Sequence, residues 1–147
     1  GPAASPLSDN WYGWAKAAYE LMGFMYATGS QGTAVENVQL RIGAPRPIHW
    51  AGFAPDDRVG YKRDLGAYIS PRDLGQLCVK SLETADIRDA HGIPFQVFYG
   101  ISDNARAFWS LENAREVIGY APQDDSEVEF AGEIRTTLIE PGSTGRL

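Results

Sequence analysis

The stretch that decides the fold is Asp9-Asn10-Trp11-Tyr12-Gly13-Trp14-Ala15-Lys16, followed by Glu20. Ser8 and Asp9 can each cap a helix by accepting a bond from a free backbone N–H. No proline interrupts the residues that follow, and Thr28-Gly29-Ser30-Gln31-Gly32 stops them, so the sequence predicts a helix over residues 9–27. The spacing of four puts Tyr12 and Lys16 on one helix face, a turn apart. An ammonium beside a phenol favours the phenolate, which makes Tyr12 a candidate proton donor or acceptor with Lys16 as its partner. Trp11, Trp14, Tyr19, Phe24 and Tyr26, with Met22 and Met25, surround the same helix. A helix that is apolar on several sides calls for burial on several sides, and a second copy of the chain is the expected cover.

Outward from this helix the pattern alternates between strand and helix. Residues 38–42, Val-Gln-Leu-Arg-Ile, alternate apolar and polar and read as a strand, stopped by Gly43-Ala44-Pro45-Arg46-Pro47. Residues 44–69, rich in Pro, Gly, Asp and Arg with aromatic residues interspersed, read as one long binding loop. Ser70-Pro71-Arg72-Asp73 opens a helix over 71–84, with Leu74, Leu77, Cys78 and Leu82 as its buried stripe. The nearly continuous apolar run at 95–101 reads as a strand covered on both faces. A short helix over 110–118 ends at Gly119, and the tail carries one candidate strand, Ile134 to Ile139. The fold class is α/β, with few parallel strands. Two strands make a poor sheet alone, so the pattern looks like the second half of a larger domain. The expected organisation is one partial domain over 1–147, with residues 1–8 and 140–147 flexible.

Composition removes several function classes. The formal charge of −6 and the scattered basic residues argue against nucleic acid as a partner. No apolar run reaches the roughly 18 residues of a membrane helix. The single Cys78 excludes an internal disulfide, and its place on an apolar stripe makes it a core residue. No His, Cys and Asp cluster has metal-ligand spacing, so no metal is expected. His91 reads as a turn residue, whereas His49 beside Trp50 is a candidate pocket residue. A cytoplasmic protein is the default.

Five stretches in order, spanning roughly residues 5–126, resemble the C-terminal half of the NAD-dependent epimerase/dehydratase family, the extended short-chain dehydrogenases. They are Asp9 to Lys16 with Glu20; Leu40-Arg41-Ile42-Gly43; Ala67 to Leu74; Tyr99-Gly100-Ile101-Ser102-Asp103-Asn104; and Asn113-Ala114-Arg115 leading to Ile118-Gly119-Tyr120-Ala121-Pro122-Gln123-Asp124. Within that family the likeness is strongest to uronate dehydrogenases. The resemblance implies that Tyr12 is the catalytic acid/base and that Lys16 supports it and binds the nicotinamide ribose. It further implies that Ile42 and Gly43 contact cofactor and that Ala44 and Arg63 lie on the substrate side, where His49 in the 44–69 loop is a further candidate. Arg63 matches a position that holds a substrate carboxylate, a task the guanidinium fork suits. A Ser often stands in the family where this chain has Ala44.

The family's glycine-rich dinucleotide fingerprint has no counterpart in these 147 residues. The resemblance therefore implies a truncated member whose relatives use NAD or NADP on a sugar acid or nucleotide sugar. It also implies that this chain alone binds no cofactor and does not catalyse. An alternative is a stand-alone dimeric module that binds a small sugar or anion without catalysis. The implied partners are a second copy through helix 9–27 or a missing N-terminal half.

Overall fold

A computed structural model describes residues 8–139. Helix α1 runs over Trp11–Ala27. Its cap is Asn10, whose side chain accepts from the Gly13 N–H, while Ser8 bonds to Asn10 and not to the helix. Strands β1 (Asn37–Ile42) and β2 (Phe95–Gly100) form a two-stranded sheet. The Asn37 N–H donates to Pro94 at one end and the Gly43 N–H to Gly100 at the other. Both chains climb together between these bonds, so the pair is parallel. Along the chain come helices α2 (Arg58–Ala67), α3 (Pro71–Glu83) and α4 (Glu112–Ile118), then the single turns α5 (Ser126–Glu129) and α6 (Ala131–Ile134). The parallel α/β class and the three expected helices are as the sequence implies, with ends shifted by one or two residues.

The described chain divides into two compact units. The first holds the residues up to Arg41, Cys78–Tyr99 and Ser110–Tyr120. Here α1 lies against the β1 side chains of Asn37, Gln39 and Arg41. Gly23 meets Asn37 and Gln39, and Glu20 pairs with Arg41 at 2.7 Å. That hydrogen bond to Glu20 raises the Arg41 guanidinium above its ordinary value. Val97, Phe98, Leu111, Ala114, Ile118 and Tyr120 are buried in this unit. Asn113 ties α4 to β2 by donating to the Val97 carbonyl. Gly119 closes α4 at φ +63°, the left-handed region that glycine enters without cost.

The second unit holds Ile42–Leu77, Gly100–Trp109 and the chain from Ala121. Its core is Ala44, Ile48, Tyr61, Leu65, Ala67, Tyr68 and Ile134, with Trp50, Phe53, Trp109, Phe130 and Leu138 packed against it. Burial pushes the Tyr61 hydroxyl up to about 12 and moves Tyr68 in the same direction.

Three expectations are corrected. Residues 44–69 are not one long loop, because 58–67 are helical and Trp50–Gly52 form a 3₁₀ turn. Asp57 caps α2 by accepting from the Gly60 N–H, and Tyr61 and Leu65, one turn apart, are fully buried. The segment 134–139 is not a strand: Ile134 ends α6 and Arg135–Ile139 form a π turn. Phe130, Ile134 and Leu138 fall at helical spacing and pack on the aromatic core, which outweighs the β-branched composition. Finally, Cys78 and Leu82 are exposed, and of the α3 stripe only Leu77 is buried. Cys78, Ser81 and Leu82 instead line an open groove of about 400 Å³ with Glu36, Val38, Leu40 and Ile87. The expected flexibility of 1–8 and 140–147 falls, apart from Ser8, outside the described residues.

A buried polar hub holds the start of α3. The Asp73 carboxylate, fully buried, accepts from the Ser102 hydroxyl and from the Gln123 and Asp124 N–H groups. Asp73→Ala leaves these donors unpaired and should cost about 2–3 kcal/mol, read as a lower urea midpoint with an unchanged slope. Asp124 in turn accepts from the Ser70 hydroxyl and pairs with Arg72, and these two contacts, in that order, hold its carboxyl below the usual carboxylate range. A carboxyl lowered on folding stabilises the fold above its unfolded value of about 3.9 and loses that contribution as pH falls through the folded value. Stability should therefore drop below about pH 4 less steeply in Asp124→Asn than in the parent chain, measured by urea unfolding across pH.

Candidate functional site

Tyr12 and Lys16, the expected acid/base pair, belong to the first unit. On α1 the Lys16 ammonium sits over the Tyr12 ring, 5.3 Å from its centroid, and 6.0 Å from that of Tyr19. Glu20 lies one turn beyond Lys16, and its pairing with Arg41 fixes how α1 is rotated against β1. The Arg41 Nη1 also donates to the Tyr99 hydroxyl at 3.3 Å. Tyr12 is 75% exposed, and Trp11 and Trp14 beside it are exposed as well. The pair thus stands on an open helix face, its rotation set by an ion pair that is itself largely sheltered.

The second unit forms a cleft of about 360 Å³ from Ile42, Gly43, Ala44, Arg46, Arg63, Asp64, Ala67, Phe108 and Trp109. That volume falls in the range of small-molecule sites. Gly43 is required here because a Cβ would run into the Ala67 carbonyl oxygen. Ile42, the last residue of β1, is among the lining residues, and the C-terminal ends of parallel strands are where such sheets bind ligands. Asp64, nearly buried on α2, accepts from Arg46 through one oxygen and from Nε and Nη2 of Arg63 through the other.

Ile42, Gly43, Ala44 and Arg63 therefore share one cleft, and Tyr12 and Lys16 share one helix face. His49 does not line that cleft. It borders a smaller cavity of about 240 Å³ with Arg46, Pro47, Ile48, Gly52 and Phe53. Its Nδ1 lies 3.3 Å from Glu133, which also accepts from the Trp50 N–H, so His49 sits in a contact that fastens the 3₁₀ turn. The sequence reading missed Arg46, Phe108 and Trp109. Arg46 stands between two prolines and reads as a strand stop, and only the return of the chain at 106–109 brings the two aromatic residues to the cleft. Among the described residues no group of three His, Cys, Asp or Glu side chains could hold a metal ion, and no helix is long and apolar enough to cross a membrane.

Helices alternating along the chain with a parallel pair of strands make this a portion of a Rossmann-like α/β fold. No protein-family model matches the chain. An NAD-dependent glucose-6-phosphate dehydrogenase of Haloferax volcanii is 36% identical over 129 residues, covering 87% of this chain and 43% of that protein. Uronate dehydrogenase from Agrobacterium tumefaciens matches the structure with a TM-score of 0.69 at 24% identity, over 93% of this chain and 44% of that one. A tyrosine-to-alanine variant of that enzyme complexed with NAD matches with a TM-score of 0.67 at 22% identity, over 98% of this chain and 46% of that one. The chain thus spans less than half the length of the proteins it matches. Its homologue is an NAD-dependent dehydrogenase, and its fold is that of the C-terminal part of an extended short-chain dehydrogenase of the epimerase/dehydratase kind, the uronate dehydrogenases among them.

Proposed function

We propose that the whole protein is an NAD-dependent oxidoreductase acting on a hydroxyl of a sugar that carries an acidic group. The observation that carries this reading is the single cleft formed by Ile42, Gly43, Ala44 and Arg63 at the strand ends. The relatives' names agree on such a sugar: one is a glucose-6-phosphate dehydrogenase and another a uronate dehydrogenase. A nucleotide sugar belongs to the same class. NAD, when bound, supplies the hydride acceptor. Tyr12 takes the hydroxyl proton, the Lys16 ammonium supports the phenolate that the step requires, and Arg63 holds the acidic group so that the sugar lies in one orientation. Lys16, Ile42 and Gly43 are the residues that would touch the coenzyme. A cytoplasmic setting goes with this use of NAD.

In this reading the isolated chain does not catalyse. Among the described residues no glycine-rich turn joins a strand to a helix, which is the seat of the pyrophosphate in this fold. NAD titrated into the chain in a calorimeter should give no saturable heat; micromolar affinity would overturn the inactivity.

A binding role without catalysis is favoured by one specific fact: every residue lining the cleft belongs to the second unit. Glucuronate or glucose 6-phosphate in excess should raise the melting temperature, and Arg63→Ala should abolish the rise. The exposed face of α1 favours self-association in either role. Trp11 is 84% exposed, Trp14 61% and Leu21 65%, more apolar surface than a monomer usually leaves open. A homodimer through residues 9–27 is the proposed state. Equilibrium sedimentation at micromolar concentration should give twice the chain mass, and Trp14→Glu should give the monomer.

A further inference from the structure

We propose that Phe108 is a specificity-determining residue of the cleft, its ring the platform on which the ring of the sugar lies while Arg63 holds the acidic group. The proposal rests on the cleft being the sugar's seat and adds the group that recognises the sugar's body. Phe108 and Arg63 come from different segments, and α2 brings them together. Arg63, Asp64 and Ala67 of α2 line the cleft, whereas Gly66 between them is buried. The chain at 106–108 covers it. A Cβ on Gly66 would stand 2.5 Å from the Arg106 carbonyl oxygen and 3.1 Å from Cδ1 and Cε1 of Phe108. The Phe108 ring thus lies on the helix at that point, lines the cleft in its place, and stays 54% exposed.

One exposed phenylalanine is ordinary on a protein surface, so the argument lies in how this one is held. A glycine inside a helix weakens it relative to alanine. Gly66 has no positive φ, so its backbone does not call for glycine. What calls for it is the close approach of the segment that carries the ring. That segment is pinned: the Ala107 N–H donates to the Asn104 carbonyl, Asn104 donates to the Tyr68 carbonyl, and Arg106 pairs with Glu127. Trp109 meets the Phe108 ring edge-on, with centroids 5.0 Å apart. Gly66 follows Arg63 by three residues, about 4.5 Å further along the axis and on the same face. That is the scale of one six-membered ring, so an acid held at Arg63 carries its ring to Phe108. Ile42, Gly43, Ala44 and Ala67 bring no polar side chain to the cleft. A sugar ring carries hydroxyls around its rim and C–H groups on its faces, and the electron-rich face of an aromatic ring suits the latter.

The test uses this chain. Calorimetry compares D-glucuronate, which closes into a six-membered ring, with D-gluconate, an open-chain acid of the same carbon count and charge. Both are titrated into the parent, Phe108→Ala, Phe108→Leu, Phe108→Trp and Arg63→Gln. The parent should bind glucuronate about ten-fold more tightly than gluconate, the scale of one ring-on-ring contact. Phe108→Ala and Phe108→Leu should remove that preference by weakening glucuronate alone, since leucine keeps the bulk and loses the flat face. Phe108→Trp should keep it, and Arg63→Gln should weaken both acids. If Phe108→Ala melts early, the leucine and tryptophan variants, which keep the bulk, carry the comparison. Equal binding of the two acids by the parent overturns the platform and leaves the cleft reading standing. So does Phe108→Leu holding glucuronate as the parent does, or Phe108→Ala weakening both acids alike. No saturable binding of either acid, or binding indifferent to Arg63→Gln, sinks the cleft reading along with the proposal.

Discussion

The second unit depends on a change of backbone partner just past the strand ends. The Gly43 N–H still donates to Gly100. One residue later Ala44 bonds to the 67–69 segment, with its N–H donating to the Ala67 carbonyl and its carbonyl accepting from Ile69. On the other side the Ser102 N–H donates to the carbonyl of Tyr68. Residues 67–69 therefore sit between the two chain segments that leave the sheet, and Ala44 and Tyr68 form a parallel bridge. Strand ends that part in this way open a space, and here the end of α2 defines its floor. Gly43 allows the approach, since any side chain would displace the Ala67 carbonyl that accepts the Ala44 N–H.

The rest of that unit follows from how the wedge is held. Asn104 donates to the Tyr68 carbonyl and accepts from the Ser126 N–H, so the wedge is tied to the tail. The Ser70 N–H donates to the Ser102 hydroxyl, which itself donates to Asp73. The residue that ends the wedge thus also starts α3. With both ends of 67–70 pinned, α2 enters at a fixed angle and carries Asp64 to the cleft wall. Asp64 then sets the two arginines. Side chains as long as arginine lose much rotamer freedom when ordered, and a shared buried carboxylate meets that cost before any ligand arrives. The two arginines are held by their ion pairs with Asp64.

Much of this was legible in the residues, and the failures have physical causes. The strand at 38–42 and that at 95–101 announce themselves by alternation and by continuous apolarity, signals that need no tertiary context. Tyr12 and Lys16 are placed together by helical spacing alone. Helix α2 was hidden because its buried face amounts to little more than Tyr61 and Leu65, set among Gly60, Gly66 and four charged residues. Its formation is a tertiary effect, driven by the aromatic cluster it completes. The same cluster claims Ile134 and Leu138 and overrides a β-branched run. Cys78 and Leu82 misled for the opposite reason: an apolar stripe states what a helix can bury, and whether anything covers it is decided elsewhere. Arg46 could not be assigned from sequence, since its place in the cleft is fixed by Asp64, eighteen positions away.

The cleft and the Tyr12/Lys16 face draw on different parts of the chain. All of the cleft's walls come from the second unit, whereas Tyr12, Lys16 and the Glu20–Arg41 pair that orients them come from the first. The two parts are also held by different physics. The cleft rests on a buried core and a dense hydrogen-bond hub, and its residues are ordered by contacts that lie within the unit. The α1 face is ordered along one side only, where Gly23 and Glu20 meet β1, and its aromatic residues are left in contact with water. Apolar surface of that kind lowers free energy when covered, by roughly 25 cal/mol for each Å² removed from water. A cover for α1 would therefore stabilise the helix that carries Tyr12 and Lys16, while the cleft gains nothing from it. A change that blocks association should on this physics loosen Tyr12 and Lys16 and leave ligand affinity at Arg63 where it was.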